Sequence, residues 1–142
     1  MPLSYSVEPP ALFLVRASGA VSYPDCTNLF ASIREDQRLG PGGLMLVDGR
    51  EASHVPSRAE LRDIARDLKQ LYESGIGATA IVTNKGFVYG VARMFAMFAE
   101  LLGVNVGVFL TMEDGFEWLA EQKPPAFSPP ELPPDDDALE GA

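Results

Sequence analysis

Cysteine is almost missing from this chain of 142 residues. Cys26 stands alone, so no internal disulfide can form, and a reducing compartment is the expectation. Histidine is as scarce, with His54 the sole example. One of each supplies no Cys/His cluster, which excludes the usual structural zinc site. Basic charge is short: 11 Lys and Arg face 20 Asp and Glu, leaving a formal net charge of −9. Phosphate binding needs a basic stripe, so no nucleic acid partner is expected. Adsorption to an anionic membrane surface is disfavoured for the same reason. Long uncharged hydrophobic runs are lacking too. The most apolar stretch, Gly86 to Gly103, contains Arg93 and Glu100. A membrane span takes about 20 nearly uncharged residues, so a buried helix is expected here instead. The opening MPLSYSVEPP has neither a positive start nor a long apolar run, so no signal peptide is expected and the location reads as cytoplasmic. Finally, no glycine-rich loop follows a strand and opens a helix, as phosphate cradles do; Gly40-Pro41-Gly42-Gly43 precedes a strand. No cofactor is expected.

Against these absences stands a hydrophobic content of 46%, enough to bury a core. Leu3 to Val7 alternates apolar and polar, and Ala11 to Arg16 follows after Glu8-Pro9-Pro10. That pattern predicts an antiparallel hairpin at a sheet edge. Ser22 offers a helix cap with Pro24 behind it, and Cys26, Leu29, Phe30 and Ile33 fall on one face. Leu44 to Val47 lacks alternation, as a strand covered on both faces does. Ser57-Arg58-Ala59-Glu60 is a capping box. Leu61, Ile64, Ala65, Leu68, Leu71 and Tyr72 then form a stripe, ended by Gly75. Ala78 to Thr83 reads as a buried strand, Val88 to Leu102 as a helix, and Val104 to Leu110 as a last strand. A short helix follows, with Phe116, Leu119 and Ala120 on its inner face and Trp118 beside them. Strands alternating with helices predict an α/β fold: a mixed, mostly parallel five-stranded sheet with about four helices and one antiparallel edge. Residues 1–122 form the domain. Residues 123–142, with Pro-Pro pairs and an Asp run, read as a solvated tail.

Chemical options concentrate between Asp48 and Ser57, past the C-terminal end of a parallel strand, where open α/β sheets favour ligand sites. Ser53 and His54 are neighbours, but adjacent side chains seldom face each other and no nucleophile elbow surrounds them. Asn84 reads as a helix cap, and Lys85 would place a cation at the same sheet edge. The helix beyond is apolar nearly all round. Val88, Val91, Ala92, Phe95, Ala99 and Leu102 fill an inner face, while Phe87, Met94, Met97, Phe98 and Leu101 widen the arc beyond what one sheet face covers. A thick core, a partner or second copy, or a small apolar ligand would each account for that surplus.

Gly19-Ala20-Val21-Ser22 with Asp25, Val47-Asp48, Val82-Thr83-Asn84-Lys85-Gly86, and Phe109 to Leu119 with Glu113, Asp114 and Trp118 resemble SpoIIAA-like (STAS/SEC14-type) proteins. The resemblance spans roughly Leu12 to Ala120. It implies a helix-backed sheet and a role without catalysis. In the better-known STAS relatives a serine at the start of the helix after the third strand is phosphorylated by a partner kinase. Here Ser57 stands near that place, with Ser53 close by. The Asp-Ser-Ser-Gly motif is missing, and Val55-Pro56-Ser57-Arg58 occupies its site. The leading expectation is a non-enzymatic regulatory or protein-interaction module, with a protein partner or a homodimer. Its recognition edge would comprise Asp48, Arg50, Ser53, His54, Ser57, Asn84 and Lys85. The alternative is a carrier or sensor of a small apolar, lipid-like ligand on Phe87, Met94, Met97, Phe98 and Leu101.

Overall fold

A computed structural model describes residues 2–122; the tail read from residues 123–142 lies outside the described residues. Strand β1 (Leu3–Glu8) pairs antiparallel with β2 (Leu12–Ala20), from Leu3 opposite Ala17 to Glu8 opposite Leu12. Helix α1 (Tyr23–Arg34) leads to β3 (Gly43–His54), α2 (Arg58–Glu73) to β4 (Ile76–Val82), and α3 (Phe87–Leu101) to β5 (Val106–Phe109). Helix α4 (Met112–Glu121) closes the domain. The five strands lie in sequence order, and β2 to β5 are mutually parallel. The α/β class, the mixed sheet and the antiparallel edge therefore match the sequence-based expectation.

Two apolar layers sandwich the sheet. Helices α1, α2 and α3 pack on one face, around Phe13, Val15, Ile33, Leu68 and Phe95. Helix α4 covers part of the other, where Leu119 meets Leu44, Leu46, Ala78, Ala80 and Val82. Strand β4 shows how alternation sorts side chains between them. Ala78, Ala80 and Val82 face α4, while Thr79 meets Tyr72 of α2.

Local chemistry sets the helix ends. At α1, the Ser22 hydroxyl accepts from the Asp25 amide while the Asp25 carboxylate accepts from the Ser22 amide. Ser57 and Glu60 make the same reciprocal pair at α2, at 3.3 and 2.9 Å. Beyond α2, Gly75 has φ 143°, and a Cβ there would lie 2.7 Å from the Gly40 carbonyl oxygen, so no side chain fits. Leu61, Ile64, Ala65, Leu68 and Leu71 are the buried stripe of α2. Each such leucine or isoleucine contributes about 1.5–3 kcal/mol through its burial.

Three elements differ from the sequence reading. Strand β3 continues to His54 rather than yielding to a loop at Asp48. Past Asp48 it pairs only with β2, through Glu51, Ala52 and His54, so one edge stays open and polar residues cost little there. Strand β5 is shorter than read, because it pairs with β4 only from Val106 to Phe109. In α4, Gly115 and Leu119 are buried while Phe116 is 39% exposed and Ala120 is exposed. The helix lies so close that a Cβ at Gly115 would stand 3.0 Å from Val82 Cγ2 and 3.2 Å from Leu46 Cδ1. Phe116 is turned outward as a result.

Two stability changes follow. Ser57→Ala removes one half of a capping box and is expected to cost about 1 kcal/mol in denaturant unfolding. Gly115→Val overpacks the α4 contact, at an expected cost of about 1–3 kcal/mol. Unchanged unfolding midpoints would contradict the two contacts.

Candidate functional site

Part of the expected recognition edge is knit together by direct bonds. Arg50 donates two hydrogen bonds to the Asp48 carboxylate, Nε to Oδ1 at 2.8 Å and Nη2 to Oδ2 at 2.9 Å. Those bonds hold the Asp48 carboxyl below its ordinary range. The pair is partly exposed, so it organises the strand end more than it stabilises the fold. Asn84 does not cap α3. Its side-chain amide donates to the Arg50 carbonyl at 2.8 Å, and Gly86, with φ 118°, takes the cap position without a side-chain bond. The segment leading into α3 is thereby tied to β3. Lys85 is exposed beside it.

Ser53 and His54 do approach each other, with Oγ 3.1 Å from Nδ1, because the strand irregularity at Ala20 and His54 breaks strict alternation. Both are exposed. Among the described residues no carboxylate is hydrogen-bonded to His54, so the pair lacks the orienting group that completes a nucleophile and base. Ser57 is exposed, and its hydroxyl is engaged in the α2 cap. Among the described residues, no three His, Cys, Asp or Glu side chains converge to hold a metal ion. No helix among them is long and apolar enough to cross a membrane.

The apolar residues of α3 separate into two groups. Phe87, Met97 and Leu101 are 77%, 64% and 84% exposed. Met94 and Phe98 pack against the core, and the Arg62 guanidinium lies 5.2 Å above the Phe98 ring. Helix α2 thus covers one flank of the wide arc and leaves the other open.

The largest departure from the sequence reading is internal. A cavity of about 150 Å³ lies between the sheet and helices α1, α2 and α3. Val15, Val47 and Ile81 line it from the sheet, and Cys26, Leu61 and Ala92 from the helices. It nears the surface at the half-exposed Val55, Pro56 and Val88. Thr83 is part of its wall. No lining residue carries a formal charge. Such a space offers dispersion contacts and water exclusion, and suits an apolar guest. Periodicity gave no signal for it, because it takes residues from nearly every element.

Burial pushes the Cys26 thiol up to about 12. The thiolate is the reactive form. Cys26 is therefore expected to resist alkylation by iodoacetamide at pH 8 in the folded protein and to react promptly in denaturant. Rapid labelling of the native state would contradict its place in the cavity wall.

No protein-family model matches the chain, and no curated protein matches it. Among solved structures, it is similar to an uncharacterised protein of the DUF3478 family with a SpoIIAA-like fold, from Shewanella loihica PV-4. The superposition has a TM-score of 0.54 at 16% identity, covering 82% of this chain and 91% of that one. With the hairpin edge, the ordered parallel strands and the helix arrangement already in place, that likeness establishes that this chain has a SpoIIAA-like fold.

Proposed function

We propose that the chain is a non-enzymatic binding module that carries or senses a small apolar molecule. The observation behind this reading is the cavity, about 150 Å³ in volume and bounded by apolar side chains. The space reaches the surface and its accessible lining is wholly apolar, whereas the rest of the layer is packed as a domain interior normally is. The cavity volume corresponds to a benzene-sized guest. Its position suits the fold, at the carboxyl ends of the parallel strands, where β3 runs past β4 and α3 begins. On this reading the guest lies between the sheet and α3 rather than on the Phe87, Met97 and Leu101 surface of that helix.

A second reading, as a regulatory protein-interaction module, is favoured by the exposed Phe87, Met97 and Leu101. Exposed apolar patches mark interaction sites in many proteins. The two readings meet in α3: Val88, Val91, Ala92 and Phe95 border the cavity while the opposite side of the helix faces outward. A guest that shifts α3 would alter the surface the helix presents. The Asp48–Arg50 pair and Asn84 sit at the head of that helix and would register the same shift.

Two experiments examine these readings. Toluene is expected to raise the melting temperature of the full chain in a concentration-dependent way. Ala92→Leu, which fills part of the cavity, is expected to abolish that rise. An equal rise in both proteins would place the toluene elsewhere, and no rise in the parent would remove the carrier reading. For the second reading, sedimentation of the parent should show self-association that Leu101→Glu abolishes. A monomer at all concentrations would exclude the homodimer.

A further inference from the structure

Helix α3 carries one exposed stripe along its length. Gly90, Arg93, Met97 and Glu100 are exposed at spacings of three, four and three residues, and Gly86 and Leu101 continue the stripe at its ends. Such a repeat keeps the residues on one side of the helix. It is the spacing of a seam along which two helices pack. The two charges of the stripe are opposite in sign and stand seven residues apart, about 10 Å along the axis. Among the described residues neither forms an ion pair. Arg93 donates only to the Tyr89 hydroxyl of its own helix, at 3.1 Å.

The stripe borders an open sheet edge. Arg93, Ala96, Met97 and Glu100 form one wall of a groove whose other wall is β5. Strand β5 pairs with β4 alone. The Asn105 and Phe109 carbonyls accept from the Thr79 and Thr83 amides, so by alternation the backbone groups of Val106 and Val108 point away from β4. Charge, proline or a bulge normally blunts such an edge. Val106 to Phe109 has no charged residue and no proline, and its register with β4 is unbroken.

We propose that a second copy of this chain packs here, α3 against α3 in antiparallel sense, about a twofold axis beside Ala96 and Met97. The inference rests on the homodimer form of the second reading above and adds its geometry. Charge complementarity selects the occupant. The midpoint between Arg93 and Glu100 falls between Ala96 and Met97. A twofold through that point sets Arg93 of each copy opposite Glu100 of the other, twice over. Ala96 then meets Met97 across the axis, small against long. The exposed Leu101 comes to lie near Gly90 of the other copy, where no side chain obstructs it. A parallel pairing would instead set Arg93 against Arg93 and Glu100 against Glu100. The same axis turns the two β5 edges toward each other, where Val106 and Val108 leave backbone groups open.

Sedimentation of the full chain tests this with charge exchanges. Arg93→Glu and Glu100→Arg, each alone, bring like charges together at both ends of the seam. Each is expected to weaken self-association about 10-fold. The two exchanges in one chain are expected to restore the parent affinity. Restoration separates a contact between copies from damage within one. Cross-linking gives a second readout. A disulfide needs Cα atoms within about 7 Å, so Met97→Cys, beside the axis, is expected to form a covalent dimer with diamide. Phe87→Cys is just as accessible, but its counterpart lies about 28 Å away along the seam, and it is expected to stay uncrosslinked. A parent that self-associates with unchanged affinity in both single exchanges overturns this geometry and leaves the homodimer reading standing. Weakening without restoration in the double exchange overturns it too, as does cross-linking of Phe87→Cys in place of Met97→Cys. A parent that is monomeric at all concentrations overturns the homodimer reading and this inference with it.

Discussion

The arrangement depends on one constraint: each parallel strand lies beside its neighbour in sequence. Crossovers of a single hand then carry every connecting helix to the same side of the sheet. Helices α1, α2 and α3 crowd one face, and α4 is left to cover the other. Three helices on a twisted five-stranded surface meet it unevenly. Close contact holds over the middle of the sheet, around Leu68 and Leu71. Toward the strand carboxyl ends the small side chains of Ala52 and Ala92 leave space unfilled. The cavity is the remainder of that packing problem.

The other face solves its packing differently. Ala78 and Ala80 present little volume to α4, and Gly115 presents none. The α4 backbone at Gly115 lies directly against the side chains of Val82 and Leu46.

What could be read in the sequence was whatever repeats at short range. The capping pair Ser57 and Glu60 and the stripe from Leu61 to Leu71 fixed α2, and the alternation of Leu3 to Val7 with the following apolar run fixed the hairpin. Less legible was anything decided at long range. Asn84 looked like a cap because caps are local, yet its amide is taken by the Arg50 carbonyl 34 residues away. The polar stretch from Asp48 to His54 looked like a loop because it lacks core residues. It remains a strand because β2 lends it a partner on one side. Phe116 looked like core by its hydrophobicity, whereas Gly115 set the rotation of α4. The cavity was invisible for a related reason: a void belongs to no segment. The exposed side of α3 was legible as a surplus of Phe, Met and Leu, but which of them α2 would cover depended on the placement of Arg62.

Helix α3 begins at Gly86 with no side chain closing its first turn, unlike α1, α2 and α4, whose leading hydroxyls each accept an amide. Amides left open at a helix start make that turn the least costly to unwind. Val88 and Val91, which border the hollow interior, lie in and just after it. The helix start without a side-chain cap therefore stands beside the apolar space, and loosening a few residues there widens the way in for a small molecule with the sheet undisturbed.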